Sequence, residues 1–251
     1  MSKKIILALL VSLFFSFSPI IVSAQKPEDW EPPEKNGVYD VPGHKNLKVR
    51  VFVHEPQNKP VQILSCTDPD STAVVDPVGW KLPSTWSWYL NTSSVPSSIT
   101  GNVSTIAANS IKTWQDELKS KVKFEYKGLT LINKKAYDGK NIIAWGRTLG
   151  SALGVTYTWY YPGLAVETDT IMNLKFPWSW TPYPGNNFCS LYPTTYDAQD
   201  ILTHELGHWV GLDDHYTSAY VDNTMFGYGS KGEIKKDTLT TGDKTSVALL
   251  Y

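Results

Sequence analysis

Three residues that catalytic zinc chemistry can use, two His and a Glu, stand together in His204-Glu205-Leu206-Gly207-His208. On a helix, positions four apart lie one turn apart on the same face, so His204 and His208 can aim two imidazoles at one ion. Glu205 projects beside that face, where its carboxylate can act as general base toward a water. Gly211 offers a left-handed exit from the helix, and the turn can bring Asp214 back as a third ligand. A chance His-Glu-x-x-His in a chain of this length has a probability of roughly one per cent, and the following Gly and acid lower it further. The rival reading is a core helix whose histidines are merely buried. It fares poorly, because two His and a Glu on one patch are costly to bury without a charge partner.

With these residues in place, the pattern His204-Glu205-x-x-His208-x-x-Gly211-x-x-Asp214, followed by Met225 in Asn223-Thr224-Met225-Phe226-Gly227, resembles the metzincin metallopeptidases. The stretch from Gly79 to Tyr251 is similar to a matrixin-type catalytic domain. Matrixins mostly carry His as third ligand. Asp214 at that position is similar to the snapalysin-type bacterial peptidases, and the adjacent His215 stays open as the alternative third ligand.

The resemblance implies an α+β, metzincin-like fold. Its parts are a twisted mixed β-sheet with an edge strand above the cleft, two main helices including the zinc helix, and a short C-terminal helix. It also implies one catalytic Zn2+, Met225 as an apolar floor under the imidazoles, and polypeptide substrates. Tyr228 is a candidate transition-state donor, since some metzincins use a tyrosine near this point. The His-x-Asp zinc loop of vertebrate matrixins has no match here, so no second zinc is expected.

The rest of the chain must position these groups. Val103, Ile106, Ala107, Ser110, Ile111, Trp114 and Leu118 recur at three- and four-residue steps and predict an amphipathic helix. Strands are predicted over 47–54, 86–91, 122–126, 141–145, 154–160 and 164–174 from alternation and β-branched or aromatic content. The 154–160 strand is expected at the sheet edge above the cleft, where an extended peptide can add as one more strand. Thr194 or Thr195 is expected to cap the zinc helix, and Thr240 with Asp243 has capping-box spacing for a last helix. Glu167-Thr168-Asp169 offers a candidate Ca2+ site, or simply a solvated strand face.

Residues 1–24 read as a signal peptide: Lys3 and Lys4, an apolar run, then Val22-Ser23-Ala24. Residues 25–78 read as an N-terminal extension or propeptide, and 79–251 as the catalytic domain. His44 and His54, isolated within 25–78, are assigned no metal. Cys66 and Cys189 are an even pair in an exported chain, which reads as one disulfide. The matrixin resemblance supplies the rival, a propeptide cysteine on the zinc, although the flanks of Cys66 do not match the usual switch motif.

A net charge of -1 argues against nucleic acid and anionic membrane as partners. The 10 Trp and 14 Tyr are read mainly as packing in a β-rich core. The expectation is a secreted, monomeric zinc endopeptidase with no stable membrane association once the signal is cleaved. Two alternatives stay open: a zinc hydrolase of non-peptide amides or esters, and a non-catalytic extracellular binding protein that keeps the fold.

Overall fold

The computed structural model describes residues 30–57, 69–182 and 191–251. The chain divides into two compact units, Met1–Trp30 and Glu31–Tyr251. The expected signal peptide at 1–24, and both Cys66 and Cys189, lie outside the described residues. In the larger unit the strands are β1 (Gly37–Asp40), β2 (Lys48–Pro56), β3 (Trp80–Lys81), β4 (Thr85–Leu90), β5 (Lys123–Leu129) and β6 (Asn141–Gly146). Then come β7 (Gly154–Tyr161), β8 (Gly163–Asn173), β9 (Trp178–Ser179), β10 (Tyr196–Asp197) and β11 (Tyr228–Gly229). The helices are α1 (Val103–Leu118), α2 (Ala198–Trp209) and α3 (Thr241–Leu250). The architecture is α+β, with three α-helices among the described residues and a mixed sheet ordered β1-β2-β7-β8-β6-β4-β5. No helix of the described residues is long and apolar enough to cross a membrane.

The sheet is mixed because β7 runs antiparallel to β8 and to β2, while β8, β6, β4 and β5 pair in parallel. The expectation of a free edge at 154–160 is corrected. β2 covers β7 in register from Lys48 opposite Tyr160 to His54 opposite Gly154, and β1 pairs with β2 on its far side. The physical reason lies in β2 itself. Its alternating, valine-rich run supplies a row of backbone partners for an edge that would otherwise present unpaired N–H and C=O groups. The described residues of 31–78, which composition sets apart, therefore share one compact unit with those of 79–251.

The face predicted for α1 is the face it buries: Val103, Ile106, Ala107, Ser110, Ile111, Trp114 and Leu118. It packs along α2, where Trp114 Nε1 donates to the Thr203 carbonyl at 2.8 Å and Asn109 Nδ2 to Gln199 Oε1 at 3.0 Å. Trp80, Trp145, Trp159 and Trp209 are fully buried with Trp114, so these five indoles are core packing.

All twelve residues of α2 are buried. Such a helix needs each polar group partnered. Its cap is Asp197, whose carboxylate accepts from the backbone N–H groups of Gln199 and Asp200. This corrects the expectation of Thr194 or Thr195. Thr195 instead hydrogen-bonds Ser179 Oγ and the Tyr192 carbonyl, and Asp197 can cap directly because β10 pairs with β9 just before it.

Candidate metal centre

α2 delivers His204, Glu205 and His208 at its last turns, and the chain leaves it as the spacing predicts. Gly211 has φ 97°, and a Cβ there would stand 2.7 Å from the Trp80 carbonyl, so only glycine fits. The chain then doubles back. Asp214 Oδ1 lies 3.1 Å from His204 Nε2 and 3.5 Å from His208 Nε2, with the Asp214 side chain almost fully buried.

Both imidazoles are oriented from behind. Nδ1 of His204 sits 2.8 Å from the Thr224 carbonyl, and Nδ1 of His208 sits 2.9 Å from the Leu212 carbonyl. A carbonyl only accepts, so each Nδ1 carries the proton and each Nε2 turns a lone pair inward. The two Nε2 atoms and Asp214 Oδ1 are buried and make no hydrogen bond. A tetrahedral zinc with bonds of about 2.0–2.1 Å spaces its ligand atoms roughly 3.3 Å apart, which fits both separations. These residues fit a divalent ion.

The electrostatics agree. Burial pushes the Asp214 carboxyl up, but the imidazoles of His208 and His204 outweigh it and hold the group well below the usual carboxylate range. Burial takes the His204 imidazole down to about 4. For His208 burial also pushes down, but the Asp214 carboxylate beside it wins and the imidazole is raised. Asp214 is therefore anionic and sets a negative charge beside the two imidazoles.

His215, the alternative third ligand, points elsewhere. It accepts from the Asp76 N–H at 3.1 Å and stacks on the Tyr220 ring at 3.9 Å. Met225 is fully buried, and a Cβ on Gly207 would collide with its sulfur. It therefore sits against α2 between the two histidine turns. The 223–225 turn is fixed by the α3 cap, since Asp243 Oδ2 accepts from the Thr224 N–H and from the Thr240 N–H and Oγ1. The predicted capping box at Thr240 and Asp243 thus also shapes the floor of the centre.

The Tyr228 ring packs on Tyr216 and Phe226. Tyr216 is the phenol that reaches the centre, donating to Asp214 Oδ2 at 3.2 Å. Sequence reasoning missed it, because a tyrosine two residues past Asp214 carries no motif of its own.

Glu205 faces the sheet. Its Oε2 accepts from Thr156 Oγ1 at 2.5 Å, and its Oε1 is buried without a partner. Burial raises its carboxyl to about 7, partly offset by His208 and by the Thr156 hydroxyl. Gly154 makes room for it, since a Cβ there would lie 2.6 Å from Oε1.

His54, assigned no metal from sequence, belongs to this cluster. His54, His204 and Asp214 each offer a ligand atom within 4.8 Å of the others. The His54 ring meets His204 edge to face at 3.9 Å, and Phe52, two residues earlier on the same strand face, stacks on His208 at 3.7 Å. On its far side His54 Nε2 lies 3.4 Å from the buried Lys236 ammonium, which donates to the Tyr228 carbonyl at 2.7 Å. The only hint in the sequence was that Phe52 and His54 share the period-two face of an alternating strand.

The acidic pair considered for Ca2+ does other work. Glu167 accepts from the Asp138 and Gly139 N–H groups, and Asp169 from those of Ala136 and Ile142. All four carboxylate oxygens are engaged by backbone, which clasps the 136–139 loop onto β8. Neither a family model nor a curated protein matches the chain.

Proposed function

We propose that the chain is a secreted zinc-dependent endopeptidase of metzincin-like design. One observation carries this: two Nε2 lone pairs and one carboxylate oxygen converge, buried and without hydrogen bonds, one residue away from a buried glutamate. His204, His208 and Asp214 would hold the ion. Zinc there would supply Lewis acidity, lowering the pKa of a water toward about 7 and polarising a scissile carbonyl. Glu205 takes the proton of the attacking water and passes it to the leaving amine. A carboxyl raised to about 7 suits both halves of that transfer near neutral pH. Thr156 holds one oxygen of Glu205 still, which leaves Oε1 free for the proton. Tyr216 and the Thr224 and Leu212 carbonyls orient the three ligands. Secretion rests on the leader-like residues 1–24.

The test is zinc stoichiometry together with casein hydrolysis, assayed on the intact chain and after limited trypsin treatment. Zinc at one per chain, lost in His204→Ala, with hydrolysis lost in Glu205→Ala but zinc retained, is the expected outcome. A zinc-bearing protein that cuts esters or small amides and no peptide would move the reading to a non-peptide hydrolase. Metal-free material that cuts nothing would leave an extracellular binding protein.

A further inference from the structure

Residues 48–57 lie in a groove with two different walls. On one side β2 pairs antiparallel with β7 over seven positions. On the other edge β1 pairs antiparallel with residues 48–51, and β11 pairs parallel beyond it, Glu55 opposite Tyr228 and Pro56 opposite Gly229. The Leu153 N–H donates to the His54 carbonyl at 2.7 Å, and the Gln57 N–H to the Gly229 carbonyl at 2.8 Å. The groove therefore holds an extended backbone by hydrogen bonds on both edges.

The inward side chains of that strand lie over the candidate centre. Phe52 covers His208, His54 covers His204, and Arg50 caps the end by pairing with Asp213 at 3.0 Å. Gly154, the partner of His54, is the residue pressed against Glu205 Oε1. Position 54 of any peptide in this register thus passes beside both the ligands and the base.

We propose that this groove is the peptide-binding cleft and that residues 48–57 are its internal occupant. His54 offers a ligand atom within 4.8 Å of those of His204 and Asp214, so it would take the position on a bound ion that hydrolysis needs for water. This rests on the metallopeptidase reading above. The chain as it stands is self-blocked, and the partner the groove fits is another extended peptide, bound antiparallel to β7 with an aromatic or imidazole side chain at each of the two inward positions. Backbone pairing gives such a site its affinity and the alternate side chains its selectivity.

The test uses the full chain loaded with Co2+, with azide as the probe and the visible absorption of the ion as the readout. The unaltered chain should hold one Co2+ and show no spectral change with millimolar azide. His54→Ala should hold the same Co2+ and respond at concentrations at least tenfold lower. Arg50→Glu leaves every group over the ion in place but repels Asp213, so it should respond to an intermediate extent. Casein hydrolysis by the zinc forms should rise in the same order. One Co2+ per chain with equal azide response in all three proteins overturns the blocked groove while leaving the metal centre standing. No Co2+ in any of them overturns both.

Discussion

Thr156 donates to Glu205 Oε2 at 2.5 Å and shares a second hydrogen bond of 2.7 Å with Thr170. Trp209 Nε1 donates to that same Thr170 hydroxyl at 2.9 Å. Each hydroxyl has one proton, so the series runs one way, from Trp209 through Thr170 and Thr156 to the glutamate. Thr156→Val keeps the shape and removes the last donor. Leaving a buried acceptor unpaired costs about 1–3 kcal/mol, which is roughly 5–150-fold in rate if it falls on the transition state. Measured in the His54→Ala background, kcat on a peptide should drop within that range while zinc content holds. Unchanged kcat would remove Thr156 from the positioning of Glu205.

Asp214 and His215 are separable by metal affinity. Asp214→Ala should weaken zinc binding by more than the roughly 10–100-fold that loss of an outer partner costs, and Tyr216→Phe by no more than that. His215→Ala should leave the affinity alone, because its ring is engaged with Asp76 and Tyr220. Competition against a chelator measures all three. A large loss in His215→Ala with none in Asp214→Ala would reverse the assignment.

Gly207→Ala sets two effects against each other. In a helix interior alanine gains about 1 kcal/mol over glycine. Here its Cβ would collide with Met225 Sδ and lie 2.8 Å from Trp114. Overpacking typically costs about 1–3 kcal/mol, and more where both neighbours are fixed. Trp114 is held by its bond to Thr203, so the clash should win. Thermal melting should show Tm lowered by about 2–8 °C, and a raised Tm would mean that Met225 can move aside.

Stability should depend on pH through Glu167. Burial raises its carboxyl from 4.5 to about 7, against the opposing N–H groups of Asp138 and Gly139. The unfolded chain then loses this proton near 4.5, while the folded chain keeps it to about 7. Between those values the folded state binds more protons, so stability falls as pH rises through the window. The loss is at most roughly 3 kcal/mol and is complete above the folded pKa. Urea unfolding of wild type and Glu167→Gln at pH 5 and pH 8 isolates it: wild type should lose more between the two than the variant does. Parallel losses would assign the dependence to other buried acids.

The parts legible in the sequence were those with local periodicity. The apolar face of α1, the spacing of His204, Glu205 and His208, the turn at Gly211 and the cap at Thr240 each need only residues within a few positions of one another. What escaped depends on pairing across long separations. No local rule says that the run ending at His54 pairs with residues 154–160 rather than standing apart, since strand partners are chosen by packing and by competition for an edge. Asp197 does not stand out as the cap in the sequence, because the two threonines just before it are also favoured cap residues. His54 looked inert for the same reason as Tyr216: the groups that give each of them a role lie on other elements.

The two walls around β2 also govern how blockage could end. Cutting the chain between residue 57 and Cys66 divides it but leaves every ladder bond to β7 and β11 intact, and Phe52 remains fully buried. The severed strand should therefore stay bound as a tight ligand. Onset of hydrolysis would then lag behind cleavage, following the first-order departure of the strand however much protease made the cut. Excess free strand added back should switch a working molecule off.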